Sequence, residues 1–454
     1  MSAPDVIVVG AGFAGLSAAS RLAESGMRVL VLDARPQLGG RATAFVDRVS
    51  GELVDNGQHV LFGCYRETLR LLERIGAEDN VRRQASLAVP YIDLMGRRSE
   101  LRCPPLPPPL HLIAAVLDWD AMPWRERLSA LRLAGPLRKA RGELQRGGRV
   151  HVSPHGATVS DWLREHRQGT RLREWLWEPL AIAALNQPPE TASAAPFVRV
   201  LAEMFGPDPS AAALVLPTRP LHLMYAEPAR TYIEARGGSI RTNALARLTL
   251  DGDAVAGVDV RGEAIACRHV VCAVPWFGLN AVFGGAPPAP MREIVGAADA
   301  TPSMPIVTVN LWYDRKVMHE PFVGLPGRAM QWVFDKRIAF GTEASHLSLV
   351  ASGAETLVRD AADNLIVRAA REVADALPEA RKATLLRGTV IREKRATFSL
   401  APGQPPRPGV TTPIAGLFLA GDWIDTGLPG TIESAALSGH MAARAVLTHL
   451  LEAP

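Results

Sequence analysis

The most constraining feature of the sequence is a glycine-rich loop near its beginning, which joins an apolar run to an alanine-rich stretch. Residues 6–9 are all apolar, residues 10–15 read GAGFAG, and a helical pattern follows directly. A second, mainly apolar run, residues 28–32, leads to Asp33. Strand, glycine loop, helix, strand and acid in this order are typical of a Rossmann-like βαβ unit.

Each residue type in this unit suits one part of a dinucleotide. Gly10 allows a tight turn, Gly12 lets the backbone approach a pyrophosphate, and Gly15 lets the helix pack closely on the strand. The amino end of the helix offers unpaired N–H groups and a partial positive charge to phosphates. Asp33 follows the second strand, where a carboxylate that binds ribose hydroxyls belongs. The sequence therefore predicts a dinucleotide-binding site.

Two further glycine motifs predict additional contacts with the same ligand. Gly39, Gly40 and Arg41 follow the acid closely, and Arg41 can lie along a pyrophosphate. Near the other end of the chain, residues 416–422 form an apolar strand pattern that ends in Gly-Asp, followed by a helical pattern from about residue 431 to 451. Backbone donors at the start of that helix suit a polar edge of the ligand.

The order of these patterns along the chain predicts two interleaved lobes. A chain of 454 residues is too long for one ordinary domain. We expect an α/β fold with a discontinuous Rossmann-like lobe formed by residues 1–75, 218–285 and 410–454. Residues 76–217 and 286–409 then form a mixed α+β lobe for the substrate.

Composition excludes several classes of protein. The 50 basic and 46 acidic residues nearly balance, which argues against nucleic-acid binding. The four cysteines show no metal-ligand spacing, so we expect reduced thiols and no metal. No signal-peptide pattern precedes the first strand, and no apolar stretch is long enough to span a bilayer. We therefore expect a cytoplasmic protein or one attached to the inner face of a membrane.

Residues 104–142 combine features of a membrane-facing segment. A proline-rich run, residues 104–109, precedes tryptophans, leucines and several arginines. Helical patterns follow around residues 125–141 and 159–180. Basic and aromatic residues beside an apolar face suit a helix that lies in the lipid headgroup region. An ordinary amphipathic helix packed on the other lobe explains the same pattern, and the sequence leaves both interpretations open.

Taken together, the motifs resemble the FAD-binding fold of the flavin amine oxidase and carotenoid desaturase superfamily. In that superfamily a Gly-Gly-Arg after the ribose acid and a late Gly-Asp strand are marks of FAD. The resemblance implies non-covalent FAD, because no cysteine or histidine lies in an evident flavin-attachment motif. It implies that FAD is held by Gly10, Gly12, Phe13, Ala14, Gly15, Asp33, Ala34, Arg35, Gly40, Arg41, Gly57, Gln58, Leu245, Gly421, Asp422, Gly430, Thr431 and Ile432.

A narrower resemblance points to the squalene-associated branch of this superfamily. The stretches DNGQH at residues 55–59, ALNQPP at residues 184–189 and GDW at residues 421–423 carry it. This branch removes the hydroxyl of hydroxysqualene reductively in squalene and hopanoid biosynthesis. It implies a hydrophobic isoprenoid substrate and reduced FAD as the hydride donor.

Replacing a hydroxyl by hydride requires a proton for the leaving oxygen, so a general acid must lie over the flavin. The resemblance places His59 and Asp55 beside the flavin, which makes them the candidate acids. A structural hydrogen bond explains His59 equally well. An Asp-Asn-Gly stretch is also typical of a turn, which is the simpler explanation of Asp55.

Other functions remain open at this point. An oxidative carotenoid or isoprenoid desaturase would use the same fold with hydride moving in the opposite direction. A flavin-binding partner that channels lipid without turnover is a third reading. Amine oxidation is disfavoured, because amine oxidases commonly hold a lysine against the flavin on a substrate-lobe strand. The best match to that strand, residues 308–313, contains none, and Lys316 lies just beyond it.

Overall fold

The computed structural model describes residues 3–48, 51–341 and 345–452. Its strands are β1 (Val6–Val9), β2 (Val29–Leu32), β3 (Ala44–Val46), β4 (Leu53–Asp55), β5 (Leu61–Phe62), β6 (Val81–Arg83), β7 (Ala88–Ile92), β8 (Arg98–Arg102), β9 (Leu214–Pro217), β10 (Ser239–Arg241), β11 (Ala246–Asp251), β12 (Ala254–Val260), β13 (Glu263–Ala266), β14 (Val270–Cys272), β15 (Ser303–Tyr313), β16 (Phe322–Gly324), β17 (Trp332–Asp335), β18 (Ser345–Ser352), β19 (Leu385–Phe398) and β20 (Leu417–Leu419). Its α-helices are α1 (Phe13–Glu24), α2 (Arg66–Arg74), α3 (Leu110–Asp118), α4 (Trp124–Ser129), α5 (Ala134–Gln145), α6 (Val159–Glu165), α7 (Thr170–Leu172), α8 (Glu178–Leu185), α9 (Ala194–Met204), α10 (Glu227–Glu234), α11 (Leu279–Val282), α12 (Arg292–Ala300), α13 (Lys336–Phe340), α14 (Ala362–Ala376) and α15 (Ile432–Glu452).

A five-stranded parallel sheet carries the glycine loop. Its order is β10–β2–β1–β14–β20, and every neighbouring pair is parallel. Strands β1, β2, β14 and β20 are buried along their whole length, which explains their short, almost purely apolar sequences. All five strands fall within residues 1–75, 218–285 and 410–454. The boundaries proposed for the two lobes remain a prediction.

Helices α1 and α15 pack closely together on this sheet. A Cβ on Gly439 of α15 would lie 2.1 Å from the carbonyl oxygen of Ala14, so only glycine permits this approach. The Ser17 hydroxyl donates to the carbonyl of Ala436 at 2.8 Å. This packing brings the amino ends of both helices to the carboxyl edge of the sheet.

A seven-stranded, mainly antiparallel sheet forms the second layer, in the order β19–β15–β18–β17–β16–β7–β8. Side chains alternate along β15. One face packs on helix α14 in a separate apolar core that includes Val307, Val309, Leu311, Leu365, Ala369 and Val373. Thr308 points to the other face, and its Oγ1 would lie 3.8 Å from a Cβ on Gly57. Strand β15 therefore separates the core of this sheet from the turn at residues 55–59.

The two long helical patterns of the middle segment are both interrupted, which differs from the sequence prediction. The first divides into α4 and α5 around a 3-10 turn at residues 130–133. Pro136, which has no amide hydrogen, fits the first turn of a new helix better than the middle of a long one. In the second pattern, α6 ends before Arg167, which has a positive φ of 51° and is followed closely by Gly169.

Candidate active site

A cavity of 630 Å³ extends from the loop after β1 to helices α3 and α5. Both sheets and the helical middle segment contribute to its wall. Its polar part, the cofactor groove, lies along the carboxyl edge of the parallel sheet. It contains every residue predicted to hold FAD except Gly15: Gly10, Gly12, Phe13, Ala14, Asp33, Ala34, Arg35, Gly40, Arg41, Gly57, Gln58, Leu245, Gly421, Asp422, Gly430, Thr431 and Ile432.

The glycine loop has the geometry of a phosphate cradle. A Cβ on Gly10 would lie 2.7 Å from the carbonyl oxygen of Ala273, and one on Gly15 would lie 1.8 Å from that of Gly10. Gly15 is thus a packing residue beneath the loop. Helix α1 begins at Phe13 with no side-chain cap and no acid in its first turn. Its free N–H groups and dipole therefore face the groove, ready for an anion.

Asp33 joins the end of β2 to the glycine loop. One carboxylate oxygen accepts from the amide of Ala11 at 2.7 Å, and the other accepts from the amide of Arg35 at 2.8 Å. The side chain is only 6% exposed and lines the groove. The assignment of Asp33 to a ribose of FAD stays a prediction. Leu245, 52% exposed, lines the same end of the groove.

Arg41 and Asp422 form an ion pair across the middle of the groove. The Arg41 guanidinium also donates to the carbonyl of Ala396 at 2.7 Å and lies over the ring of Trp276. The sequence predicted that Arg41 lies along a pyrophosphate and that Asp422 contacts the same ligand, and the fold brings the two side chains together. A Cβ on Gly430 would lie 3.4 Å from the Asp422 carboxylate, so a larger residue would narrow this part of the groove.

The turn at residues 55–59 divides its side chains between the cavity and the interior. Gly57, Gln58 and His59 line the cavity, whereas Asp55 does not. One Asp55 oxygen accepts from the amide of Leu221 at 2.9 Å, and the other accepts from Lys336 Nζ at 2.7 Å. A carboxylate held in this way is not placed to protonate a substrate. The expectation that Asp55 is a general acid is therefore corrected, and His59 remains the candidate.

His59 is neutral at pH 7 in this environment. Desolvation by burial lowers the pKa of its imidazole below the usual 6.5, and this effect is the largest. The charge of Asp55 acts in the opposite direction, while Lys336 and Arg41 lower the pKa further. His59 can donate a hydrogen bond at neutral pH, but its cationic form is populated only at lower pH.

Two contributors to this region were missed in the sequence. Lys336 follows strand β17, outside residues 308–313, which are the best sequence match to the lysine-bearing strand of amine oxidases. A lysine that follows three apolar residues, 332–334, and one aspartate, Asp335, is the only signal that the sequence offers. Tyr225 stacks on Phe13 with ring centroids 3.6 Å apart and donates to the carbonyl of Gly39 at 2.8 Å. Tyr225 therefore contacts both glycine motifs, the first through the Phe13 ring and the second through the Gly39 carbonyl.

The other part of the cavity, the apolar branch, is lined mainly by hydrocarbon, with Arg127, Arg138 and Arg141 also in its wall. Helices α3, α5 and α8 form one wall, and strands of the seven-stranded sheet form the other. Its lining includes Tyr91, Leu112, Val116, Leu133, Leu137, Leu180, Phe322 and Trp332. Burial raises the pKa of Tyr91, so its hydroxyl stays neutral. The segment 104–142 therefore contributes to the wall of the cavity as well as to the surface.

The groove fits FAD on its own geometry: a glycine cradle, an uncapped helix and a carboxylate lie along the edge of a parallel sheet. A family model described as flavin containing amine oxidoreductase matches residues 13–447. The chain belongs to this family. It is an FAD-dependent oxidoreductase, which confirms the fold class and the cofactor predicted from the sequence.

Curated relatives match over nearly the whole chain. A hydroxysqualene dehydroxylase of Sinorhizobium fredii is 28% identical, with 98% of both chains covered. A hydroxysqualene dehydroxylase of Rhodopseudomonas palustris is 30% identical, over 97% of this chain and 98% of the relative. A 15-cis-phytoene desaturase of Narcissus pseudonarcissus is also 28% identical, over 98% of this chain and 79% of the relative. The dehydroxylases and the desaturase thus match this chain at similar identity.

Solved structures show the same fold at lower identity. An oxidoreductase from Methanosarcina mazei superimposes with a TM-score of 0.73 at 16% identity, over 97% of this chain and 99% of that one. Within the described ranges, every helix is too short or too polar to cross a lipid bilayer.

Proposed function

We propose that this protein removes the hydroxyl of hydroxysqualene reductively and releases squalene. The observation that carries the proposal is the continuity of the apolar branch with the cofactor groove. A substrate of thirty carbons with one hydroxyl needs a long hydrocarbon-lined space that ends at the flavin. The two relatives named hydroxysqualene dehydroxylase support this choice of substrate.

In this reaction the C–O bond breaks, the oxygen leaves as water after protonation, and hydride fills the vacated position. Reduced FAD supplies the hydride when it is bound. His59 lines the cavity and protonates the leaving hydroxyl. The apolar wall excludes bulk water, which would otherwise capture an allylic cation.

The alternative is oxidative desaturation of a carotenoid precursor, which the phytoene desaturase relative favours. The cavity suits either direction of hydride transfer, because a hydrocarbon chain would lie against bound FAD in both. What differs is the need for an acid. A desaturase removes hydride and a proton from carbon, whereas a dehydroxylase must protonate oxygen.

Anaerobic incubation of the purified protein separates these functions. We expect reduced FAD and hydroxysqualene to give squalene, detected by mass spectrometry, with one flavin oxidised per squalene. Dehydrogenation of phytoene by oxidised FAD, without squalene formation, would support the desaturase instead. Tight FAD binding without turnover of either substrate would favour a lipid-channelling partner.

We also propose that the mouth of the apolar branch rests on a membrane surface. Leu117 and Leu131 line the cavity and are 37% and 40% exposed. Around them, Leu110, Trp124 and Leu128 are 52%, 63% and 42% exposed. The Arg125 guanidinium lies over the Trp124 ring. Exposed apolar residues beside arginines suit the interface of an anionic bilayer, from which a water-insoluble substrate can enter directly.

Vesicle sedimentation tests this surface. The triple variant Trp124→Ser, Leu128→Ser, Leu131→Ser should lose most of its binding to vesicles that contain phosphatidylglycerol. The matched control, Leu94→Ser, Met95→Ser, Val367→Ser, removes apolar residues that are 64%, 83% and 68% exposed elsewhere. Equal binding by both triple variants, or no binding by the unaltered protein, would contradict the membrane contact.

A further inference from the structure

Lys336 is a buried cation that the reaction itself does not use. It begins helix α13 and is only 2% exposed. Its ammonium donates to the Asp55 carboxylate at 2.7 Å and to Gln58 Oε1 at 2.6 Å, and lies 4.2 Å from the centroid of the Phe340 ring. Lys336 does not itself line the cavity. Its effect on the active site must pass through the turn at residues 55–59.

Both partners of Lys336 belong to that turn. Asp55 begins it and is anchored on its other oxygen by the amide of Leu221. Gln58 donates through Nε2 to the carbonyl of His59 at 3.2 Å. One ammonium therefore holds the first residue of the turn and the residue next to its last, and the last residue, His59, is the candidate acid.

We propose that Lys336 is a positioning residue that fixes the turn at residues 55–59 and cancels the charge of Asp55 beside His59. The inference rests on the proposed role of His59 as the proton donor. The positioning role accounts for the presence of a buried ion pair between Lys336 and Asp55. A buried ion pair contributes little net stability because the desolvation of both charges offsets their attraction, so a role in fixing geometry and charge is the better account.

The charges around His59 agree with this role. Asp55 favours the imidazolium form, and Lys336 and Arg41 oppose it. Arg41 is itself paired with Asp422. Burial lowers the pKa of His222, on the helical turn before α10, and the charge of the same Asp55 carboxylate opposes this shift. Among these groups, Lys336 is the one in direct contact with Asp55, so its removal leaves the carboxylate without its buried counter-charge.

The test measures the protonation of His59 directly in the FAD-loaded protein. Histidine is labelled with ¹⁵N, and the His59→Gln variant identifies the His59 signals in an NMR titration. We expect Lys336→Met to raise the pKa of His59 by about one unit, because the Asp55 charge is then uncompensated. The double variant Asp55→Asn, Lys336→Met should return it close to the original value. The control Lys316→Met removes a lysine from an exposed turn and should leave the titration unchanged.

Lys336→Gln provides a second variant if Lys336→Met does not fold, since glutamine keeps hydrogen bonds to the turn but carries no charge. It should raise the pKa in the same direction. A His59 titration that neither variant shifts would overturn the inference. The readout needs no substrate, so absence of squalene formation would count against the proposed reaction alone. An unmoved titration with normal squalene formation would count against Lys336 alone.

Discussion

The cofactor groove and the wall around His59, which consists of the turn at residues 55–59 and Lys336 behind it, are built from the chain in different ways. In the groove, the amide of Ala11 and the carboxylate of Asp33 meet across 22 positions of sequence. Behind His59, Asp55 and Lys336 meet across 281 positions. The groove depends on spacing within one βαβ unit, whereas the wall depends on how two sheets come together. A short motif can specify the first but not the second.

The groove also contains a long-range contact, but both of its residues lie in motifs that the sequence shows. Arg41 and Asp422 are 381 positions apart, yet each follows a glycine in a recognisable motif. Each could therefore be assigned to the cofactor independently of the other. Lys336 follows no such motif, and its partner is defined only by the folded chain.

The strongest test of the wall is His59→Gln. If His59 protonates the leaving hydroxyl, kcat for squalene formation should fall about 10²- to 10⁴-fold, because a general acid contributes about that much. FAD binding should be unchanged, since glutamine keeps the turn polar. Single-turnover oxidation of reduced flavin by hydroxysqualene measures the effect. The control His151→Gln alters a histidine whose side chain is 76% exposed. Retention of full activity by His59→Gln would remove His59 from the reaction.

The groove is tested by Gly15→Ala. A Cβ at this position would overlap the carbonyl oxygen of Gly10 at 1.8 Å, which must displace either α1 or the phosphate loop. We expect FAD affinity to fall by about 100-fold, in line with the loss of about 3 kcal/mol of binding free energy. Flavin absorption after gel filtration reports it. In the control Gly296→Ala, in helix α12, the added Cβ meets no atom within 4 Å, and FAD should remain bound. Equal FAD content in both variants would show that the groove tolerates a displaced loop.

These two regions also show how far the sequence could predict the molecule. Residues 10–15 and Asp33 predicted a Rossmann-like unit and a dinucleotide, and the resemblance carried by all the glycine motifs predicted FAD; the individual cofactor contacts stay predictions. The sequence did not distinguish Asp55 from His59 as an acid, because the side chain that faces the cavity depends on the neighbours supplied by the fold. Lys336 looked like an ordinary strand end, and only the approach of the 55–59 turn makes it a buried cation.

The apolar branch is tested by Leu112→Asn. A polar amide in this wall should raise KM for hydroxysqualene about tenfold, since one change in an apolar pocket is worth roughly 10- to 200-fold in discrimination. FAD affinity should not change, because Leu112 lies in the branch rather than in the groove. The control Leu386→Asn alters a leucine that is 63% exposed on β19. A lowered FAD affinity with unchanged KM would mean that the branch serves the cofactor rather than the substrate.

The pH dependence of turnover distinguishes His59 acting as a cationic acid from His59 acting as a neutral hydrogen-bond donor. Burial lowers the pKa of His59 below 6.5, so the imidazolium is a minor form at pH 7. If the imidazolium supplies the proton, the rate should rise by up to about tenfold for each unit by which the pH falls from 8 towards that pKa, and then level off. Single-turnover rates measured over this range in the unaltered protein and in His59→Gln give the comparison. The rise should be lost in the variant, because glutamine does not titrate. A rise that persists in His59→Gln would assign the titrating group to another residue, while a flat profile in the unaltered protein would leave His59 as a neutral donor that only orients the hydroxyl.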